Sequence, residues 1–424
     1  VRETSSEPIF QKRKAMADTI QPEMRIADLI EAYPESRAVF AAYGLEELIG
    51  EDALRLLAPF LTIGTALRTR GIPIDKFLSH LQQHLQDKAL KEAPGLHEIS
   101  DHDHLSLLGL LPCGLKVPFA KAVTQFFQDY RTTSNPPITY AVEGNVNQEL
   151  SYYKFVDQVE HLDELPDVIV SSDFNAFFYR RFRERFIDRG YFTDVFPSRL
   201  NAAFDDTGIL DPLGQFTMLT VNPLIIVADL ERTGDRPLPK RWSDLLDPMW
   251  RRSITLRGDQ QFFCHAVLLP FFKEYGADAM TALAHNVLRG QHPAQMVKEA
   301  GADRPDGAAL YVMPDFFAHK IARPERIRII WPEEGGLISP VTMLVKKERA
   351  AQLKSVTDFL TGNRLAEIFA GAWFPTPHAE VTNHLPPGAR LKWLGWDYLR
   401  QNDLAEQNAA IDEVFLPVVR KEAT

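Results

Sequence analysis

The stretch RWSDLLDPMWRRSITLRGDQ (241–260) contains the change of character on which the fold turns. It opens polar and proline-broken, then passes into a short β-rich run, RSITLRG (252–258), which stops at Gly258-Asp259-Gln260. Working outward, the same kind of run recurs on both sides. Upstream lie ITYAVEG (138–144), DVIVSSD (167–173) and MLTVNPLIIVADL (218–230); downstream lie AALYVM (308–313), IRIIW (327–331) and VTMLVKK (341–347). Helical stretches separate them. Strands alternating with helices over 136–424 predict an α/β sheet architecture.

The N-terminal part reads differently. Residues 1–23 are a polar, loose leader, and 24–90 carry helical periodicity. Ile26, Leu29, Ile30 and Tyr33 form one stripe that stops at Pro34. Val39, Phe40 and Tyr43 mark a second helix ending at Gly44, a residue suited to a left-handed cap. A third helix begins near Thr62. A fourth follows Pro73 with Ile74, Phe77, Leu78, Leu81 and Leu85 on one face. This predicts a small all-α domain, followed by a connector over 91–135.

Bulk properties narrow the function. A chain of 424 residues with a net charge of -10 and no dominant basic tract argues against nucleic acid as a partner. The most basic run, Arg180 to Arg185, reads as the solvated face of a helix. No run of about 18 apolar residues occurs, so no membrane insertion is expected. The opening residues lack the apolar stretch of a secretory signal, and two cysteines without an evident pairing fit a reducing compartment. A cytoplasmic location is therefore expected, with a periplasmic one as the alternative if a signal has been removed.

Ligands of open α/β sheets bind beyond the carboxyl ends of the strands, where loops and helix starts present amide groups. Here those ends carry Glu143, Gly144, Asn145 and Asn147; Ser171, Ser172 and Asp173; Gly258, Asp259 and Gln260; and Met313 and Asp315. Small, polar and amide residues at four such ends predict a site for a small molecule or ion. Asp and Glu there suit a cation or donor-bearing ligand, whereas Arg257 and helix N-termini suit an anion.

From about Leu115 onward the chain resembles a family 1 extracellular solute-binding protein of the type II periplasmic-binding fold. The Trp-x-Asp-Leu-Leu-Asp-Pro-x-Trp run in 241–260 carries the likeness. So do MLTVNPLIIVADL with Asn222, IRIIWPEEGGLISPVTMLVKK (327–347) and RLAEIFAGAWFPTP (364–377). The resemblance implies two interleaved α/β lobes joined by crossing strands, with Asn222 near the crossing and the strand ends lining a closing cleft. It also implies an ABC-transporter permease as partner, or a cytoplasmic sensor or carrier role. Ferric-ion binders of this group carry adjacent tyrosines in a later cleft loop; here the pair Tyr152-Tyr153 comes early, so free ferric iron is the runner-up ligand rather than the expected one. The module at 24–90 is similar to a small helical domain found near iron–sulfur and redox proteins. Its relatives place a cysteine where this chain has Leu45-Glu46 after Gly44.

No GxSxG, HExxH, Walker A or dinucleotide fingerprint is present. The expectation is a non-catalytic binder without a cofactor or metal. Cys113, held in a turn between Pro112 and Gly114, reads first as a buried small hydrophobe, and Asp101 to His104 as an exposed polar turn. With Lys116 nearby to lower its pKa, Cys113 also supports a competing redox- or iron-linked reading, with His102, His104, Asp101 and Asp103 as candidate metal partners. Cys264-His265 reads as core packing, and His292 to Met296 as a helix start from which Gln295 could reach the cleft. A third reading is a cleft enzyme using Glu143, Asp173 or Asp259 as base.

Overall fold

The computed structural model describes residues 20–43, 61–75, 106–131, 138–144, 158–197, 199–259, 262–303 and 306–423, with a few further positions between them. The chain divides into two compact units, Val1–Glu98 and Ile99–Thr424.

In the first unit Ile26–Ala32, Ser36–Ala42 and Ile63–Thr69 are helices. The Ile26, Leu29, Ile30 and Tyr33 stripe is buried, as its spacing predicts. Thr62 caps the third helix, its hydroxyl accepting from the Thr65 amide at 3.2 Å. Phe77 packs edge-on against Phe40 at 5.0 Å and Tyr43 at 5.1 Å, and Leu45, Leu81 and Leu85 complete this core.

Among the described residues the second unit has ten strands: β1 (Leu107–Leu111), β2 (Tyr140–Gly144), β3 (Val168–Ser172), β4 (Phe216–Asp229), β5 (Ile254–Arg257), β6 (Val287–Gln291), β7 (Leu310–Pro314), β8 (Ile327–Ile330), β9 (Gly336–Val345) and β10 (Leu391–Lys392). Their order is β2-β1-β3-β9-β4-β7-β5-β6, with β10 beside β9 and β8 beside β4. One lobe surrounds the parallel set β1, β2 and β3; the other surrounds β5, β6 and β7, which are also mutually parallel.

The long antiparallel strands β4 and β9 belong to both lobes. The 14 residues of β4 pair with β9 from Phe216 to Leu224, then with β7 from Leu224 to Ala228. At roughly 3.3 Å per residue such a strand runs about 46 Å, enough to cross from one lobe into the other. Every residue of β4 and β9 is buried, which explains why their sequences are nearly continuous apolar runs rather than alternating ones. A third segment laces the crossing. The Thr220 hydroxyl donates to the carbonyls of Phe374 at 2.9 Å and Pro375 at 2.8 Å, and the Thr376 hydroxyl donates to Leu219 at 3.0 Å. Asn222 sits opposite Ser339 at this point.

Two features differ from the sequence expectation. The strand β1 and the helix Cys113–Arg131 lie inside the stretch read as a connector. LLGLL is a short all-apolar run buried along its whole length, so it lacks the alternation that marks a half-exposed strand. In the basic run, Arg183 is buried rather than solvated; its guanidinium donates to the carbonyls of Arg400 at 2.8 Å and Asn402 at 3.2 Å. The segment is α-helical over Arg180–Phe182 and π-helical over Arg183–Ile187, which turns that side chain inward.

Candidate functional site

The strand ends of the two lobes meet at one ion pair. Asp173 follows β3 with φ 70°, a left-handed conformation that Asp tolerates better than most residues. The turn is wired to its neighbours. The Asp173 amide donates to the Pro340 carbonyl at 2.8 Å, and its Oδ1 accepts from the Phe174 amide at 3.0 Å. The Ser172 hydroxyl donates to the Leu110 carbonyl in β1 at 3.2 Å, and the Asn175 side-chain Nδ2 donates to the Ser172 carbonyl at 3.0 Å. The remaining carboxylate oxygen, Oδ2, lies 3.3 Å from Nη1 of Arg257, the last residue of β5 in the other lobe.

Arg257 is held by a tight return loop. The Cys264 amide donates to the Arg257 carbonyl at 2.9 Å, and the Asp259 amide to the Phe262 carbonyl at 2.7 Å. A side chain on Gly258 would bring its Cβ within 2.2 Å of the Phe262 oxygen, so the chain can reverse here only through a glycine. The reversal lays Cys264 beside Arg257, with Sγ 3.5 Å from the same Nη1.

Burial works against the Arg257 charge, yet Cys264, Asp173 and Cys113 outweigh it and hold the guanidinium above its ordinary pKa. Burial pushes the Cys264 thiol up to about 11, against the opposing pull of Arg257. His292 is held down at about 4, first by burial and then by repulsion from Arg257. Its Nδ1 accepts from the Ala294 amide at 3.2 Å, the role of a neutral imidazole. Burial raises Asp315 to about 6, against the pull of His319 at 3.2 Å.

The helix Cys113–Arg131 starts at the same place. Leu110 of β1 is in register with Ser171 of β3, so Pro112-Cys113 and Asp173 leave adjacent strand ends. A Cβ on Gly114 would stand 2.7 Å from Phe316, which follows β7, and 2.8 Å from Phe374 of the crossing segment. Glycine lets the helix start approach both rings.

The residues expected to line the site divide accordingly. Asp173 stands at the meeting point and Gly258 shapes the loop. Ser171 and Ser172 are buried in β3, and Asn222 is buried at the crossing. Asp259 is exposed, and its carboxylate accepts from Phe262 within its own turn at 2.9 Å. Met313 fills the lobe core with Ile225 and Met296 instead of facing a cleft, because β7 is buried throughout. Asp315 is engaged by His319, whose ring stacks on Trp373 at 3.6 Å. Glu143 and Gly144 end β2. Asn145, Asn147, Gln260, His102 and His104 lie outside the described residues. Sequence reasoning named Arg257 as suited to an anion but did not join it to Asp173, and it read Cys113 as part of a connector. The available signal was the apolar run 107–111 bounded by Pro112.

Among the described residues no helix is long and apolar enough to cross a membrane. Residues 163–402 match the family described as bacterial extracellular solute-binding protein, and residues 20–78 match a domain of unknown function (DUF1858). No match was found among curated proteins. Among solved structures, the ferric binding protein from Campylobacter jejuni is similar at a TM-score of 0.51 and 11% identity, over 75% of this chain and 99% of that one. Apo FutA2 from Synechocystis PCC6803 gives 0.52 and 13%, over 75% and 100%. A Trichodesmium protein (IdiA, FutA), solved in complex with iron and citrate, gives 0.51 and 12%, over 74% and 98%. At such identities the likeness is one of fold: two lobes of the type II periplasmic-binding kind. The family match spans more than half of the residues, and the chain belongs to the bacterial extracellular solute-binding proteins.

Proposed function

We propose that the protein binds a small ligand bearing a carboxylate or another oxyanion between its two lobes, and does not convert it. The Asp173–Arg257 pair carries this reading, because it sets a partly buried guanidinium at the junction of strand ends from opposite lobes. A guanidinium presents five N–H donors and matches an oxyanion through two of them. Asp173 supplies the countercharge; a ligand oxyanion would take its place. The crossing of β4 and β9, where Asn222 lies, is the natural hinge for closure.

The Campylobacter neighbour is named for ferric iron, and the Trichodesmium one was solved with iron and citrate. Here Tyr153 belongs to the core, and among the described residues no three His, Cys, Asp or Glu side chains converge. Arg257 also repels a bare cation. An organic anion, metal-bearing or not, suits these residues better than a free ferric ion.

Membership of an extracellular family favours the periplasmic alternative over the cytoplasmic expectation, and with it an ABC-transporter permease as partner. Native mass spectrometry of the purified protein tests the ligand class. An organic anion leaving with unit stoichiometry from the wild type, and missing from Arg257→Gln, is the expected result. A metal ion bound alone and retained by Arg257→Gln would overturn the reading, as would chemical change of the released molecule.

A further inference from the structure

The chain has two cysteines, far apart in sequence; the fold brings Cys264 to the Arg257 guanidinium and Cys113 to the strand end beside Asp173, that guanidinium's partner. Cys264 lies with its Sγ 3.5 Å from Arg257 Nη1. Cys113 arrives from the other lobe. It leaves the end of β1 next to the end of β3, where Asp173 reaches the same Nη1 at 3.3 Å. A thiolate at this position would favour the Arg257 charge. Cys113 is exposed, Cys264 is buried, and neither is in a disulfide.

We propose that Cys113 and Cys264 form a dithiol spanning the two lobes, which a low-molecular-weight disulfide oxidises to a bond that locks the cleft. Exposure fixes the order of events. The Cys113 sulfur, at the start of a 19-residue helix and near a guanidinium, sits where negative charge is favoured. It attacks one sulfur of the small disulfide; that S–S bond breaks, and one thiolate leaves with the proton Cys113 gave up. Cys264, shielded from bulk reagent, then attacks the Cys113 sulfur and expels the second thiolate, which takes the Cys264 proton. Two electrons pass to the small disulfide, which ends as two thiols.

The bond requires the two lobes to bring these cysteines together. A disulfide holds its two Cα atoms within roughly 4.4–6.8 Å, and these two belong to elements on opposite sides of the crossing. Cys113 begins the helix after β1, and Cys264 precedes the helix His265–Asn286 after β5. Once formed, the bond would hold Arg257 enclosed and stop ligand exchange.

The test uses the full chain, fully reduced, then exposed to graded oxidised glutathione. Thiols are alkylated under denaturing conditions, and peptides are mapped by mass. The expected result is concerted loss of both thiols, a monomer lighter by two hydrogens, and a linked Cys113–Cys264 peptide. Cys264→Ala should instead stop with one glutathione on Cys113. A wild type that stops at glutathionylated Cys113 with Cys264 still alkylable would overturn the proposal. So would disulfides between molecules, or no loss of thiol. The wild-type map decides even where Cys264→Ala does not fold. Ligand uptake is measured separately on reduced protein, so failure of the binding reading and failure of the dithiol are told apart.

Discussion

The carboxylate of Asp173 and the guanidinium of Arg257, 3.3 Å apart, tie the end of β3 to the end of β5 and so one lobe to the other. The two side chains are only 6% and 24% exposed, so each depends on the other for its countercharge. The pair is a structural contact between the lobes, and it holds the guanidinium that the proposed oxyanion would take over from Asp173.

Arg257→Gln is expected to destabilise the second unit by about 3 kcal/mol, the order found when one partner of a buried ion pair is removed. Asp173→Asn together with Arg257→Gln should recover most of that stability, because no lone charge remains, yet should not recover ligand binding. Denaturant unfolding and titration calorimetry on the two variants check this. Recovery of binding in the double variant would assign the anchor elsewhere.

Gly258→Ala should cost about 2 kcal/mol or more, since a Cβ at 2.2 Å from a backbone oxygen forces the loop to shift. The displaced loop would move Arg257 and Cys264 together. Weaker binding accompanied by altered Cys264 accessibility, read by thiol labelling, is the expected signature.

Acid and base act oppositely on two site residues. His292 has a folded pKa near 4, below its usual 6.5, so its contribution is present above 6.5 and is lost as pH falls toward 4. Asp315 has a folded pKa near 6, above its usual 3.8, so its contribution is present below 3.8 and is lost as pH rises through 6. The Tm of His292→Asn minus wild type should therefore grow as pH falls from 6.5 to 4. For Asp315→Asn the same difference should grow as pH rises from 4 to 6. Differential scanning across that window reads both signs.

Phe77→Ala removes the ring at the centre of the first unit, against Phe40 and Tyr43. A large-to-small change of this kind costs about 3–5 kcal/mol, comparable with the whole stability of so small a domain. Limited proteolysis should then cleave within 20–85 while a fragment containing 106–423 persists.

The sequence by itself determined which segments are strands and helices wherever a local period or composition carried the information. The stripes at 26–33 and 74–85 and the runs at 167–173, 218–230 and 252–258 are readable because burial of one face, or of both, imposes a short-range pattern. It also marked Asp173 and Gly258 as strand-end residues. Only the tertiary structure decided that β1 is a strand, since LLGLL has no pattern of its own and is specified by pairing with β2 and β3 on either side. Only the tertiary structure joined Asp173 to Arg257 across 84 positions, laid Cys264 against the same guanidinium and set Cys113 beyond the strand end next to that of Asp173. Those meetings depend on two long strands crossing between lobes, and a contact made through chain topology leaves no periodic trace in the residues that make it.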